Sequence, residues 1–435
     1  MTTQPALGSW AEKRAFYART LRITGPIALQ NFMDAAVSSA DVIMLSFVSQ
    51  AALAASSLAG QVAFVLQMLL FGVSSGASVL AAQYWGKGDR RAVERVMGLS
   101  LRITVGIGLL FTLAALAAPG LLMRIFTTDI ALISEGEKYL RAVAASYLLG
   151  GFCTVYLSVM RSVERVRMSA LVHCSAVGMN VVLNACFIFG WAFFPKLGIT
   201  GVALATSITR LIETAICLLD SQRCRLIRLR ARDLIARGGE LMRDFMRYAV
   251  PAVANDIIWG LAFSVYAIIL GHLSSNIVAA NSVATVVRNL GTVVCFGMSS
   301  SAAIILGKAM GENRLDEARV YATRFCYLSV ITALAGGAVI LACRPLVLKF
   351  MYLYVTVTDV VRSELSTMLY INSYYIGQLG QHHADLRHFP RGRGCEVRPG
   401  MRYPGHVGLC RAGGTAVRVC IQNPRNVGVF CAVSG

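Results

Sequence analysis

Val62–Ala82 reads VAFVLQMLLFGVSSGASVLAA, an uncharged stretch whose polar residues are one glutamine and three serines. As an α-helix it can cross the roughly 30 Å hydrocarbon core of a bilayer. It shows no polar face of the kind a soluble surface helix needs. Comparable runs recur at Ile103–Pro119, Ala142–Met160 and Tyr327–Cys343. Working outward from these, helices are expected near 22–47, 53–83, 95–118, 137–159, 166–191, 198–220, 246–272, 277–307, 320–343 and 359–378. A chain of 435 residues that is 56% hydrophobic and 14% charged, with mean hydropathy +0.62, lies outside the soluble range. The reading is an all-α, polytopic membrane protein.

The formal charge of +19 invites a nucleic-acid partner, but its distribution excludes one. The loops after the second, fourth, sixth and eighth helices hold Lys87, Arg90, Arg91 and Arg95; Arg161, Arg165 and Arg167; the dense basic stretch Arg223–Arg247; and Lys308, Arg314 and Arg319. The intervening loops are short and nearly neutral, or mixed in charge like Thr127–Lys138. By the positive-inside rule these basic loops and the N-terminus face the cytoplasm. Met1–Arg22 is polar and mixed in charge, so no cleavable signal is expected and the first apolar helix is expected to direct insertion. The twelve cysteines form no CxxC pair and no His/Cys metal spacing, which argues against zinc or a disulfide framework.

The two halves repeat one plan. Thr24-Gly25-Pro26-Ile27-Ala28 opens the first and Ala249-Val250-Pro251-Ala252-Val253 the second, while Tyr84-Trp85-Gly86-Lys87-Gly88-Asp89 is answered by Ala309-Met310-Gly311-Glu312-Asn313-Arg314. Both matches share one offset, since 251 − 26 = 225 and 311 − 86 = 225. Duplicated helix sets of this kind are a recurrent transporter plan. The expected division is an N-terminal six-helix lobe over 1–220, a basic cytoplasmic linker over 221–245, an incomplete C-terminal lobe of about four helices over 246–378, and a tail over 379–435. The linker fixes topology, with an amphipathic lipid-binding helix as the alternative.

An ionisable group at membrane depth costs about 2.5–3.5 kcal/mol on insertion scales, so each needs water, a partner or a function. Asp34 and Asp41 are seven residues apart, on nearly one helical face. Asn180 and Asn184 share a face four residues apart, and Thr206 lies in the next helix. These oxygens suit a hard cation or a proton, and interhelical hydrogen bonding alone is the other reading of the Asn pair. In the second half Asp256 is the one carboxylate deep in a span, followed by Arg288 and Asn289, and a plain Asp256–Arg288 ion pair is the other reading. Glu213 with Arg210 reads as a structural ion pair, and His173 and His272 as interfacial residues.

Several strings taken together resemble the multidrug and toxic compound extrusion (MATE) family. They are Pro26-Ile27-Ala28-Leu29-Gln30-Asn31 followed by Ala40-Asp41-Val42-Ile43-Met44, then Gln83-Tyr84-Trp85-Gly86-Lys87-Gly88-Asp89. Asn180-Val181-Val182-Leu183-Asn184 with Ile188-Phe189-Gly190, and Leu197-Gly198-Ile199-Thr200-Gly201-Val202-Ala203-Leu204-Ala205-Thr206, complete the set. The resemblance covers about residues 10–376. It implies two six-helix bundles around a central cavity, in a bacterial inner-membrane antiporter that acts as a monomer and expels small organic, often cationic, compounds. The inward coupling ion is Na⁺ or H⁺, with no other cofactor. The family's first-helix carboxylate falls on Asp41, its cation-site asparagine on Asn180 and its threonine on Thr206. Asn184 stands where some members are acidic, and Asn255-Asp256 where Glu often follows Asn. Asp34 stands where a small hydroxyl residue is common. With Asp256, Arg288 and Asn289 it forms a candidate substrate or proton site.

After Ile376 the character changes, and residues 382–435 are rich in Arg, Gly and Pro. Proline and spaced arginines interrupt every apolar run, so no segment there spans a bilayer. A disordered tail is expected. Back-translated and read one nucleotide later, Leu386–Gly400 permits C-G-I-F-R-A-G-G-D-A-K-F-G-L, which resembles the family's motif after the tenth helix. His406–Gly413 permits M-W-G-F-A-V-P, and Gly377–Leu386 permits G-S-L-V-N-T-T-L-I, again family patterns. A frameshift near Ile376–Gln378 follows, which makes an unstable or non-functional truncated product a rival to the working antiporter. A lipid-linked oligosaccharide flippase is a further alternative, although the expected extra helices are not visible. An intramembrane enzyme finds no support, for lack of an HExxH or GxSxG motif or of paired catalytic aspartates.

Overall fold

A computed structural model of the chain describes residues 10–46, 50–191, 195–224, 226–229, 239–273, 275–354, 363, 365–374 and 376, and the strand residues 408–412, 416–422 and 429–433. Within the helices, the side chains of 38–43 and 262–283 are among those outside this description. In chain order the helices are α1 (Trp10–Ser46), α2 (Gln50–Gly86), α3 (Arg90–Ala117), the short α4 (Pro119–Arg124), α5 (Ile130–Ser162), α6 (Val166–Phe189), α7 (Ile199–Arg223), α8 (Gly239–Leu273), α9 (Ser275–Gly311) and α10 (Leu315–Tyr354). Residues 365–374 are also helical. Seven of these helices are long and apolar enough, over the described residues, to cross a membrane: those carrying Ala55–Gly86, Arg90–Ala117, Ile130–Ser162, Val166–Phe189, Ile199–Arg223, Ala284–Gly311 and Leu315–Lys349.

The helices overrun their apolar centres. The first begins at Trp10 rather than near 22, and α10 runs to Tyr354 rather than 343. Hydropathy marks only the part of a helix that lipid surrounds, whereas the polar turns beyond it are fixed by packing. Residues 10–17 illustrate this: Phe16 stacks on Tyr321 with ring centroids 4.9 Å apart. Arg324 donates to both carboxylate oxygens of Glu12 at 2.7 and 2.9 Å.

Three turns close three helices in the same way. After α2, the Gly88 N–H bonds to the Trp85 carbonyl and Asp89 N–H to Tyr84. After α5, Glu164 N–H bonds to Arg161 and Arg165 N–H to Met160; after α9, Asn313 N–H bonds to Met310 and Arg314 N–H to Ala309. Gly88, Glu164 and Asn313 take φ of 76°, 66° and 58°. This is the Schellman arrangement, in which one left-handed residue lets two orphan carbonyls be satisfied. The Gly88 and Asn313 turns are 225 residues apart, so the sequence repeat is a repeat of hydrogen bonds.

The chain divides into two compact units, Met33–Ile257 and Met1–Phe32 with Ile258–Gly435. These do not coincide with lobes at 1–220 and 246–378. The divide falls inside the first helix of each copy, and at equivalent places, because 258 − 33 = 225. The reason is helix packing. In the first unit named, α5 lies along α2, α3 and α7, and the start of α8 crosses α2 where glycines permit it. A Cβ on Gly72 would stand 2.6 Å from the Val253 Cα, and one on Gly76 3.0 Å from the Ala249 Cα. In the other unit the start of α1 meets α9 at the equivalent positions. A Cβ on Gly297 would lie 3.2 Å from the Ala28 amide nitrogen, and Thr24 bonds to Ser301.

The linker and tail differ from expectation in detail. Arg228 N–H bonds to Glu94 and Leu229 N–H to Ser221, so the linker's first residues are tied to α3 and α7. The alternative of a lipid-binding helix falls mostly on 230–238, outside the described residues. Where a disordered tail is expected, the described residues include three antiparallel strands, β1 (Gly408–Ala412), β2 (Ala416–Gln422) and β3 (Val429–Val433), in the order β1-β2-β3. Short runs rich in valine, such as AVRVCIQ in β2, have the local preference for extended backbone.

Candidate ion-coupling site

All the polar groups considered first lie in the unit Met33–Ile257. α6 and α7 are joined through Gly190–Gly198, and Gly190 takes φ of 70° to end α6. The helices then pack so closely that a Cβ on Gly201 would stand 2.7 Å from the Phe187 Cβ. That approach brings Asn180, Asn184 and Thr206 together. Asn184 Nδ2 donates to Asn180 Oδ1 at 3.2 Å, and Asn180 Nδ2 reaches Thr206 Oγ1 at 3.5 Å. The Thr206 hydroxyl donates to the Val202 carbonyl at 3.0 Å, which turns its lone pairs toward Asn180. Asn184 is fully buried. The cluster is a chain of amide and hydroxyl oxygens without a formal charge among them.

A second cluster joins the same two helices to α1. His173 Nε2 is 2.9 Å from Asp34 Oδ1, and its Nδ1 is 3.1 Å from Glu213 Oε1. Arg210 Nη1 donates to Glu213 Oε2 at 2.7 Å. Glu213 is wholly buried, whereas the Asp34 side chain is 52% exposed. Reading His173 as an ordinary interfacial residue therefore missed its role as the bridge between two carboxylates. Glu213 and Arg210 do pair as expected, three residues apart on α7. Nothing in the local sequence of α6 announces the Asp34 contact, because it joins residues 139 apart.

The remaining candidates lie on α1, α8 and α9. Asp41 lies on α1, with its side chain outside those described. Asp256 lies on α8 in the unit Met33–Ile257, and Asn255 Nδ2 donates to its Oδ1 at 3.3 Å. Arg288 and Asn289 lie on α9 in the other unit, where the Asn289 carbonyl accepts from Thr292 at 3.0 Å.

At the opposite end of α7 a clamp holds its helices in register. Arg165 donates to both oxygens of Asp220 at 2.8 and 2.9 Å, and the Tyr156 hydroxyl donates to the same carboxylate at 2.7 Å. Such bidentate, charge-assisted pairs are among the stronger and more directional contacts available to a protein.

Long apolar helices, a duplicated plan and polar groups buried between helices define a membrane transport protein of the two-bundle helical class. The chain belongs to the MATE family: the MatE model matches residues 26–186 and 251–379. It is similar to a probable multidrug resistance protein NorM of Thermotoga maritima, 23% identical over 74% of this chain and 69% of that one. It is also similar to the probable NorM of Rhodopseudomonas palustris, 27% identical over 69% of this chain and 64% of that one. The chain thus spans about two thirds of the length of these curated relatives. The fold is shared with a MATE crystal structure in complex with MaL6, at TM-score 0.76 and 22% identity, covering 84% of this chain and 81% of that one. A MOP superfamily transporter from Pyrococcus furiosus gives TM-score 0.74 over 84% and 80%.

Proposed function

We propose that the family design carried by this chain is a cation-coupled antiporter that exports small organic, predominantly cationic compounds across a bacterial inner membrane by alternating access. The observation that carries this reading is the pair of polar clusters between helices, one at Asn180, Asn184 and Thr206 around the buried Asn184, the other at Asp34, His173 and Glu213 around the buried Glu213. Oxygens and charges at membrane depth persist where they bind an ion or are paired. An inward-moving Na⁺ or H⁺ held there drives the cycle if the two facing states differ in affinity for it. Asp41 is assigned the coupling carboxylate, with Asp256, Arg288 and Asn289 at the substrate or proton site of the second half. The basic loops support a cytoplasmic N-terminus by the positive-inside rule, and a monomer is the working unit of this proposal. Export of ethidium from cells making a frame-restored chain tests the reading. Asp41→Asn should abolish it, and undiminished extrusion by that variant defeats the assignment.

A second reading concerns this particular chain. The MatE match stops at 379 while the sequence runs on to 435, and the shifted frame permits family patterns over Gly377–Leu386, Leu386–Gly400 and His406–Gly413. On this reading a frameshift has replaced the last helices of the second half. Helices shaped to pack against them then face lipid, where association depends on fitted contacts and not on expulsion from water. The chain as it stands is inactive in transport, and normal coupled efflux by it in vesicles is the result that excludes this.

A further inference from the structure

His173 stands between two carboxylates, with one ring nitrogen 2.9 Å from Asp34 and the other 3.1 Å from Glu213. An ionised carboxylate only accepts hydrogen bonds, and a neutral imidazole carries a single N–H. Both contacts can therefore be hydrogen bonds only when the trio holds one proton more than a neutral histidine and two carboxylates supply. We propose that Asp34, His173 and Glu213 form a binding site for one exchangeable proton, separate from the Asn180–Asn184–Thr206 cluster.

The surrounding charges give the extra proton a reason to stay. With it, the cationic ring meets a carboxylate at each nitrogen; without it, one ring lone pair faces a carboxylate oxygen at hydrogen-bonding distance in a largely buried setting, which is costly. Arg210 is anchored on Glu213 at 2.7 Å and so fixes the inner end of the trio. Arg161 of α5 lies within electrostatic reach of Asp34, as does Cys174 of α6, and Cys153 of α5 lies near Arg210. The site has a wet end and a dry end. Asp34 is half exposed and Glu213 is sealed, so exchange runs through Asp34. Hydronium gives its proton to the Asp34 carboxylate and leaves as water. The proton then crosses the 2.9 Å hydrogen bond to Nε2 and makes the imidazolium. Its use in the export cycle rests on the antiport reading above; its existence does not.

Solid-state ¹⁵N NMR of histidine-labelled protein in lipid vesicles tests this on the full chain. A variant in which the other five of the six histidines are glutamine leaves His173 as the sole signal, and a difference spectrum against His173→Gln supplies the same resonances independently. At pH 7 both ring nitrogens are expected to be protonated, and Asp34→Asn is expected to convert the ring to a neutral tautomer. A neutral His173 ring at pH 7 in the parent overturns the proposal, as does an imidazolium that persists unchanged in Asp34→Asn. The transport reading fails separately: ethidium efflux by a frame-restored chain that ignores both a Na⁺ gradient and a pH gradient defeats it, while a His173 imidazolium in the same protein upholds the proton site.

Discussion

Thr24 donates a hydrogen bond to Ser301 at 2.8 Å in the place where the other copy sets Ala249 against Gly76. The four positions are related by the 225-residue offset, and both pairs are helix crossings of the same kind. One copy closes the crossing with a buried hydrogen bond and the other with bare backbone approach. Ser301 also donates to the Gly297 carbonyl at 2.8 Å. Thr24→Ala is expected to cost about 1 kcal/mol, the net worth of a typical hydrogen bond. Thr24→Ala combined with Ser301→Gly, which rebuilds the other copy's pairing, should cost less than the sum of the two single changes. Thermal unfolding in detergent measures all three, and strict additivity contradicts the equivalence.

Gly72 allows α8 to cross α2, with room for nothing at its Cβ position 2.6 Å from the Val253 backbone. Gly72→Ala is expected to destabilise by about 1–3 kcal/mol, the range for overpacking a fitted contact. Gly25, whose Cβ would meet nothing within 4 Å, is the control. An equal effect at both positions speaks against the close crossing.

Glu164 closes the turn after α5 in a left-handed conformation that Gly88 adopts freely after α2. Left-handed backbone costs a non-glycine residue roughly 1–2 kcal/mol. Glu164→Gly is therefore expected to raise unfolding stability by about 1 kcal/mol, and a destabilised variant counts against the turn assignment.

Thr206 presents lone pairs to Asn180 because its own proton is committed to the Val202 carbonyl. Thr206→Val preserves shape and removes that acceptor. In a frame-restored chain, ethidium efflux should fall on the order of tenfold, the equivalent of one lost hydrogen bond of about 1.4 kcal/mol. Unchanged efflux with unchanged protein level removes Thr206 from the coupling set.

The frameshift is a statement about DNA. Coding sequence spanning codons 376–378 should regain the family pattern on insertion or deletion of a single nucleotide. A sequence in which no such edit restores the pattern disproves it.

What the sequence showed plainly was whatever depends on local composition. Val62–Ala82 declares a spanning helix because every turn of it must face lipid or another helix, and the 225-residue offset is visible because the matching turns keep matching residues. His173 is not legible in the sequence because its significance is spatial: one bond reaches back to α1 and another reaches across to α7, and neither spacing is periodic. The start of α1 was placed too late for a similar reason. Residues 10–17 are polar on average, and only the distant Tyr321 and Arg324 give Phe16 and Glu12 something to hold. The pairing of Asn180 with Asn184 sat between these extremes, since its spacing of four suggested a shared face while Thr206 entered through helix packing.

The division of the chain inside its first helix has a consequence for biosynthesis. Glu12 leaves the ribosome early, yet Arg324, to which it binds, follows 312 residues later. At roughly 5–20 residues per second that delay is on the order of 15–60 seconds. The opening segment therefore lacks this partner until much of the second copy has been made. An early stop in translation orphans the first residues of the protein as surely as it deletes the last.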